Sequence, residues 1–306
     1  MANLLNPELI DFLACPDCHG DILSAETHLI CCHCRRKYNI EKGIPVLYPM
    51  TIDIDHLKEE EKLASLMQQP PSSRKDRFQA SQWNLSKQEF WEVVRKNIAP
   101  PPRSIVNLGC GYDSHFEHFE QEGYMFVNFD IVRTMLDKLN KDYGARSCVA
   151  GDINRAPFKK NVFDYVVSID LIHHEIKNLF KLIESFRDLL KPGGLLFLED
   201  PNAWGLFQMA KSIMLPQPLY KFLRSSFHGL RHSTHRPADY EFPTSVWRVK
   251  SILRDHGFSN ITVYSHSAYP CIGEVGYRIF KELGRVQWVR KYHNYHYMLS
   301  AEKTPG

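Results

Sequence analysis

The alternation of strand-like and helix-like segments across residues 103–202 is the feature that most limits how this 306-residue chain can fold. Five short segments in this stretch are rich in apolar residues, among them SIVNL, MFVNFD and FDYVVSID. Between the fourth and the fifth, apolar residues from Leu179 to Leu190 recur at i, i+4, i+7 and i+11, as on one side of a helix. Strands that are buried on both faces and alternate with helices form parallel sheets covered by helices. The sequence therefore predicts an α/β fold.

Composition divides the chain into three predicted domains. Residues 1–50 are rich in cysteine and turn-forming residues, residues 51–102 are expected to be a helical linker, and residues 103–306 carry the strand–helix alternation. Within the third domain, residues 203–245 exceed what a minimal α/β core needs. We expect this insertion to lie over the carboxyl edge of the sheet as a lid, where substrate specificity is usually set.

Helix-breaking residues predict several element boundaries. The stretch at residues 70–77, PPSSRKDR, is expected to be a linker between two helical segments. LKPGG is expected to stop the helix that precedes it, with Gly193 and Gly194 supplying backbone freedom after the last turn. The segments NITVYSHSAY and YHYMLSAEK are expected to form a final antiparallel pair of strands at one edge of the sheet.

Five of the eight cysteines fall within the first 34 residues, four of them in two C-x-x-C pairs separated by twelve residues. Each pair places two sulfurs on a tight turn, and two facing turns complete a tetrahedral zinc site. Cys32 and His33 are spare candidates for the fourth ligand, although the symmetry of the pairs favours Cys34. A closed site of this kind is structural and not catalytic. The predicted zinc ligands are Cys15, Cys18, Cys31 and Cys34.

The run from LACPDC through LICCHCRRKYNIEKGIPVLYP resembles the Trm112-like family of small zinc-ribbon proteins, which partner and stabilise methyltransferases. The resemblance covers about residues 7–50 and includes GIPVL, which matches the closing strand of the family. It implies that a zinc ribbon acts here within the same chain, stabilising a methyltransferase or presenting its substrate.

A glycine-containing turn, Asn107-Leu-Gly109-Cys-Gly111, follows the first predicted strand. Glycines at such a turn let the backbone approach a ligand at the start of the next helix. Position 114 is serine where a dinucleotide fingerprint has its third glycine, which argues against NAD and FAD. Asp130 ends the second strand, where an acid accepts hydrogen bonds from ribose hydroxyls. Asp152 closes the third strand, where its carboxylate can accept from an adenine amino group while the next side chain flanks the ring.

The block from VNLGCG to LLFLEDPN, roughly residues 103–202, resembles the class I, type 11 S-adenosylmethionine-dependent methyltransferases. The resemblance implies a Rossmann-like sheet and S-adenosylmethionine as cofactor. It implies that the two glycines line the methionine moiety, that the acids hold ribose and adenine, and that Ser168 offers its carbonyl to the methionine ammonium. This chain has Asn107 where the family usually has Asp or Glu. The predicted cofactor-binding residues are Asn107, Gly109, Cys110, Gly111, Asp130, Ile131, Asp152, Ile153 and Ser168.

Two histidines, His173 and His174, follow the fourth predicted strand at the edge of the sheet where ligands of such folds bind. Either can serve as the general base that a hydroxyl acceptor needs. A histidine satisfied by backbone and packing is an equally good interpretation. Glu175 and Asp200 lie nearby with the same two interpretations. We take His173 and His174 as the candidate catalytic residues.

Two groups of side chains in the predicted lid suggest different acceptors. A polar group could grip an anionic small molecule, and an apolar group could face a lipid-linked substrate or a membrane surface. A helical cap with a packed underside explains most of the apolar positions equally well. The polar group comprises Arg231, His232, His235, Arg236 and Tyr240, and the apolar group comprises Leu206, Phe207, Met209, Ile213, Met214 and Leu215.

Charge and hydropathy limit where the chain is expected to be located and which partners it is expected to bind. No apolar run approaches the ~18 residues of a membrane span, and the N-terminal segment lacks the basic start of a secretory signal, which predicts a cytoplasmic protein. The net charge is only +3, but residues 201–306 hold 14 Lys and Arg against 6 Asp and Glu. Such a basic third suits an anionic partner, or reflects nothing more than scattered surface charges.

Three functions are consistent with these features. The first is methyl transfer to an O, N or C atom of a small molecule such as a sugar, a cell-envelope precursor or a specialised metabolite. The second is RNA methylation, which the zinc ribbon and the basic third favour; the low net charge and the absence of an NPPY-type tetrapeptide argue against it. The third is a non-catalytic scaffold that binds the cofactor and supports a partner methyltransferase.

Overall fold

The computed structural model describes residues 5–25, 27–67, 74–175, 178–206, 209, 244–266 and 274–305. The predicted lid at residues 203–245 falls, apart from its two ends, outside the described residues. Its polar group, and its apolar group except Leu206 and Met209, fall outside with it. Among the described residues, no helix combines the length and the apolar character needed to cross a membrane.

The described elements alternate much as the sequence predicts. The strands are β1 (Ile22–Ser24), β2 (His28–Cys31), β3 (Lys37–Glu41), β4 (Ile44–Leu47), β5 (Ser104–Leu108), β6 (Met125–Asp130), β7 (Cys148–Gly151), β8 (Phe163–Ile169), β9 (Leu190–Pro201), β10 (Phe258–Tyr264) and β11 (His296–Lys303). The helices are α1 (Ile54–Met67), α2 (Arg74–Asn97), α3 (Phe116–Glu122), α4 (Arg133–Tyr143), α5 (Leu179–Leu189), α6 (Val246–Asp255), α7 (Glu274–Leu283) and α8 (Gln287–Tyr292). Short 3₁₀ turns cover Pro7–Phe12, Ile153–Arg155 and Ile172–His174.

All of these strands join one sheet in the order β1-β2-β3-β4-β7-β6-β5-β8-β9-β11-β10. The pairs from β4 to β9 are parallel, whereas β11 runs antiparallel to β9 and β10 antiparallel to β11. The predicted parallel α/β core and the final antiparallel pair are therefore confirmed. The carboxyl ends of β5, β6, β7 and β8 meet at one edge, as parallel strands must.

The cysteine-rich segment continues the same sheet, which the sequence did not indicate. Strand β4 pairs in parallel with β7, placing Val46 opposite Ala150 and Leu47 opposite Gly151. A second contact joins the 3₁₀ turn at Pro7–Phe12 to the start of β8, where the Phe12 and Phe163 rings stack 5.2 Å apart. Most of the buried side chains of this segment belong to the core that also holds residues of β6 and β8. The two parts are consequently held together by backbone hydrogen bonds and a shared apolar interior.

Helices cover both faces of the parallel strands. Helix α5 buries Leu179, Ile183 and Phe186 against one face, as its spacing predicts. Helix α2 covers the other with Phe90 and Trp91, which belong to the core cluster of β6 and α3. This arrangement places α2 beside the carboxyl edge of the sheet, where ligands bind in such folds.

One predicted boundary and one predicted role for glycine are wrong, although the helix before LKPGG does end where the sequence predicts. Helix α2 begins at Arg74, inside the stretch predicted as a linker, because no glycine or proline follows Pro71 until Pro100. The glycines of LKPGG do not cap α5: the helix ends at Leu189 and β9 runs through them. A Cβ on Gly194 would lie 2.8 Å from the backbone oxygen of Asp164, so close strand approach explains this glycine.

Candidate active site

The glycine turn after β5 shows two different reasons for glycine. Gly109 has φ of +69° and Gly111 has φ of +54°, both in the left-handed region. A Cβ on Gly109 would lie 3.0 Å from Cδ1 of Leu171, whereas a Cβ on Gly111 would meet nothing within 4 Å. Packing requires the first glycine, and the second borders open space into which a ligand can approach the backbone.

Asp130, at the end of β6, anchors this turn. Its Oδ2 accepts a 2.7 Å hydrogen bond from the Gly111 N–H, and its Oδ1 accepts a 2.8 Å bond from the Val132 N–H. A carboxylate has about four acceptor positions, so each oxygen keeps one for a ribose hydroxyl. Burial raises the pKa of Asp130 from its ordinary value, against the opposing effect of these backbone bonds. The residue therefore fits the ribose-binding role that the family resemblance implies.

A residue from the cysteine-rich segment contacts the backbone directly after Asp130. The hydroxyl of Tyr48, just after β4, donates a 2.7 Å hydrogen bond to the carbonyl of Ile131. The Arg133 Nε lies 3.1 Å from a carboxylate oxygen of Glu41, adding an ion pair across the same boundary. Burial raises the pKa of Tyr48 to about 12, so its hydroxyl remains a donor at neutral pH.

The remaining predicted cofactor residues lie around the same edge. The Asp152 carboxylate accepts from the backbone N–H of Asn154 at 2.9 Å, and Ile153 beside it is buried. Ser168 is the last residue but one of β8, and Asn107 lies within β5; both are buried. Among the described atoms, Ser168 Oγ and Asn107 Oδ1 have no hydrogen-bond partner. Burial raises the pKa of the Cys110 thiol well above its usual range, so this side chain stays neutral.

The two candidate bases differ sharply in their surroundings. His173 Nδ1 lies 2.9 Å from Oδ1 of Asp200, a fully buried carboxylate that orients the ring. His174 packs on His173 with ring centroids 4.1 Å apart. Burial, together with the charge of His173, lowers the pKa of His174 to about 3, so that ring is neutral. The arrangement favours His173 over His174 for proton transfer.

A second buried cluster at this edge was missed by the sequence reasoning. Glu199 Oε1 lies 2.6 Å from Ser86 Oγ, 3.0 Å from His266 Nε2 and 2.9 Å from His296 Nδ1. Burial alone would raise the pKa of Glu199, but the charge of His266 and the hydrogen bonds of the two histidines hold it well below its usual range. These residues come from α2, β9, β11 and the segment after β10. Because they are far apart in the sequence, no local motif predicts the cluster. Only the run Glu199-Asp200 at a strand end offered a signal.

The four predicted zinc ligands meet in the cysteine-rich segment. The Cys15 and Cys34 sulfurs are 3.6 Å apart and the Cys18 and Cys31 sulfurs 3.5 Å apart. All four lie within 4.8 Å of one another, while Cys32 is exposed and outside the group. Tetrahedral zinc with Zn–S bonds of about 2.3 Å needs sulfurs about 3.8 Å apart. The donor set and spacing therefore fit Zn²⁺.

A cavity of about 500 Å³ lies elsewhere, at the amino ends of the strands. Ser104, Met125 and Asp164 line it together with Asn6 and Lys191. Because Ser104 begins β5 and the glycine turn follows that strand's other end, this cavity is remote from the glycine turn and the histidines. We assign it no part in the candidate active site.

Comparison with known proteins identifies two domains. Residues 106–198 match the family model of a methyltransferase domain, Methyltransf_11, and residues 6–43 match that of Trm112p-like proteins. Two curated relatives, the mitochondrial arginine-hydroxylases NDUFAF5 of Danio rerio and Homo sapiens, are 24% identical over 143 residues and 26% identical over 142 residues. Each alignment covers 45% of this chain, and 44% and 41% of the two relatives. The chain thus spans less than half the length of these relatives.

Solved structures share the fold at low identity. One comes from a complex between the Haloferax volcanii Trm112 methyltransferase activator and a methyltransferase: TM-score 0.53, 14% identity, covering 80% of this chain and 97% of that one. Another is an S-adenosylmethionine-dependent methyltransferase from Thermotoga maritima. Its TM-score is 0.51 at 11% identity, and the match covers 81% of this chain and 99% of that one. The predicted Rossmann-like fold and the methyltransferase and Trm112-like resemblances are confirmed at this level, and the methyltransferase-domain match supports the predicted enzyme class, an S-adenosylmethionine-dependent methyltransferase.

Proposed function

For a chain that joins a methyltransferase domain to a Trm112p-like domain, we propose methyl transfer from S-adenosylmethionine to a hydroxyl group of a small molecule. The observation that carries the proposal is the placement of the Gly111 turn, Asp130 and the His173–Asp200 pair along one edge of one sheet. The first two suit a nucleoside cofactor, and the pair suits an acceptor that must lose a proton.

The residues of this chain would divide the work as follows. The Gly111 backbone and the Asp130 carboxylate would hold the cofactor, with Asp152 and Ile153 at the adenine. Bound there, S-adenosylmethionine supplies a methyl group on a positively charged sulfur, which leaves as a neutral thioether. His173, held by Asp200, would take the proton that the acceptor oxygen loses, and positioning of that oxygen would supply most of the rate.

We propose that the Trm112p-like domain supports this site from within the chain. The parallel pairing of β4 with β7 and the Tyr48–Ile131 hydrogen bond carry this proposal, because both end at the cofactor edge of the sheet. In the Haloferax volcanii complex the activator is named as a separate component. The boundaries at residues 50 and 102, and a cytoplasmic location, stay predictions.

A protein arginine side chain is a second candidate substrate, because the curated relatives are named arginine-hydroxylases, a name that specifies the side chain and not methyl transfer. An arginine-containing peptide tests it in the same methyl-transfer assay as sugars and other hydroxyl compounds. Methyl incorporation into the peptide alone would replace the small-molecule proposal with a protein-modifying one.

Titration calorimetry with S-adenosylmethionine and S-adenosylhomocysteine tests the cofactor directly. We expect saturable binding by the wild type and a loss of at least tenfold in affinity for Asp130→Ala, since the ribose contacts disappear. The matched control is Asp255→Ala at the exposed end of α6. No binding to folded, zinc-loaded protein would defeat the proposal.

A further inference from the structure

Glu199, His266 and His296 place two imidazoles and one carboxylate at the edge of the sheet beside the candidate site. Their nitrogen and oxygen atoms lie within 4.8 Å of one another, and the Glu199 oxygen is 3.0 Å or less from each ring. We propose that these three residues bind a divalent transition-metal ion. The site is distinct from the four-cysteine site, which offers only sulfur.

Unpaired buried oxygens supply the second observation. Among the described atoms, Glu199 Oε2, Asp200 Oδ2 and Asp170 Oδ2 are buried and have no hydrogen-bond partner. Glu199 and Asp200 are respectively 2% and 0% exposed. A buried carboxylate oxygen without a partner costs folding free energy, which a nearby cation offsets. A positive ion bound by Glu199 would offset that cost at Oε2, the oxygen of the proposed ligand group that has no hydrogen-bond partner.

The backbone holds the acidic residues together. Asp170 follows β8 with φ of +53°, a left-handed conformation that aspartate tolerates better than most residues. Its N–H donates a 2.9 Å hydrogen bond to the Glu199 carbonyl, and its Oδ1 lies 3.9 Å from His296 Nδ1. Asp170, His173 and Asp200 form a second group of possible ligand atoms within 4.8 Å. The first group is therefore bordered by carboxylates that add negative charge.

The donor set selects the class of metal. Two imidazoles with a carboxylate suit Mn²⁺, Fe²⁺, Co²⁺ or Zn²⁺ in preference to Ca²⁺ and Mg²⁺, which take oxygen ligands. Three protein ligands leave coordination positions for other oxygens, as in catalytic metal sites. We assign one such position to the acceptor hydroxyl, an assignment that rests on the proposed function. A bound metal lowers the pKa of such a hydroxyl.

Manganese binding tests the site without requiring activity. Mn²⁺ is titrated into zinc-loaded protein while free Mn²⁺ is followed by electron paramagnetic resonance, because Mn²⁺ prefers nitrogen and oxygen ligands and leaves the cysteine site alone. We expect one saturable Mn²⁺ per chain. His296→Gln and Glu199→Gln should each weaken binding at least tenfold. The matched control is His118→Gln on the exposed side of α3, which should bind as the wild type does.

Circular dichroism and S-adenosylmethionine titration of each variant separate the possible failures. If Glu199→Gln does not fold, His296→Gln and His266→Gln carry the test. Absence of Mn²⁺ binding by folded wild type, confirmed with Co²⁺ and Zn²⁺ beyond the first zinc equivalent, overturns the metal site even when S-adenosylmethionine binds. Equal binding by the wild type and the ligand variants also overturns it. Loss of S-adenosylmethionine binding with intact Mn²⁺ binding instead defeats the proposed function.

Discussion

The hydroxyl of Tyr48 donates a 2.7 Å hydrogen bond to the carbonyl of Ile131, joining the N-terminal cysteine-rich segment to the residue that follows Asp130. Asp130 in turn accepts from the N–H groups of Gly111 and Val132. A side chain outside the methyltransferase match therefore helps to fix the backbone around the proposed ribose ligand. This relationship gives the N-terminal cysteine-rich segment a specific physical link to the proposed cofactor site.

Tyr48→Phe should weaken S-adenosylmethionine binding without releasing zinc. One lost hydrogen bond is worth about 0.5–1.5 kcal/mol, so we expect the Kd to rise about two- to tenfold. Titration calorimetry and metal analysis measure the two quantities. Tyr143→Phe, on an exposed ring at the end of α4, is the control. An unchanged Kd in Tyr48→Phe would show that the contact is not coupled to the cofactor site.

The two glycines of the turn should respond differently to alanine. Gly109→Ala combines a positive φ with a Cβ placed 3.0 Å from Leu171, so it should lower the free energy of unfolding by more than the ~1–2 kcal/mol of left-handed strain alone. Gly111→Ala carries the strain without the clash, and its methyl group enters the space proposed for the cofactor. We therefore expect a folded protein with a cofactor affinity at least tenfold lower. Denaturant unfolding measures the free energy of unfolding of the two variants, and calorimetry measures their cofactor affinity. Equal losses of stability in the two variants would contradict the packing argument.

The parallel core could be predicted from the sequence because its signals are local. The apolar runs of β5 and β8, the glycine turn and the carboxylates ending β6 and β7 all stand at fixed spacings. The Glu199 cluster could not be predicted, since Ser86, Glu199 and His266 are separated by 113 and 67 residues. The β4–β7 pairing was missed for the same reason: strand pairing over that separation leaves no periodic pattern. Gly194 was misassigned because a helix cap and a tight strand contact both require glycine.

Asp113 should contribute a stability that depends on pH. It is 4% exposed and accepts a 2.9 Å hydrogen bond from Trp91 Nε1 and a 3.0 Å bond from the His115 N–H. Burial alone would raise its pKa, but the charge of Lys87 and the bonds and charge of His115 lower the pKa from 3.8 to about 2. The unfolded chain therefore takes up this proton first as the pH falls. The stabilisation is complete above pH 3.8 and is lost as the pH falls towards 2.

Asp113→Asn should accordingly lower the free energy of unfolding at pH 7 by about 2 kcal/mol, from a pKa difference of nearly two units at about 1.4 kcal/mol each. Urea unfolding of both proteins between pH 7 and pH 3 measures the gap between them. Because both proteins keep the same four cysteines, the comparison cancels any effect of acid on the predicted zinc site. A gap that stays constant from pH 7 to pH 3 would show that folding does not lower the pKa of Asp113.

Loss of the zinc site should destabilise the methyltransferase domain as well as the ribbon. Cys31 lies in β2, within the ribbon that ends in β4, and β4 pairs with β7 of the parallel core. The ribbon and the core share one buried cluster, so they should unfold together. Cys31→Ser should thus release zinc, lower the Tm and weaken S-adenosylmethionine binding.

Cys32→Ser is a matched control, because Cys32 is the adjacent cysteine and lies exposed outside the sulfur cluster. Metal analysis, thermal unfolding and calorimetry of the two variants decide the matter. Zinc loss in Cys31→Ser with an unchanged Tm and an unchanged cofactor Kd would show that the parallel strands fold and bind without the ribbon.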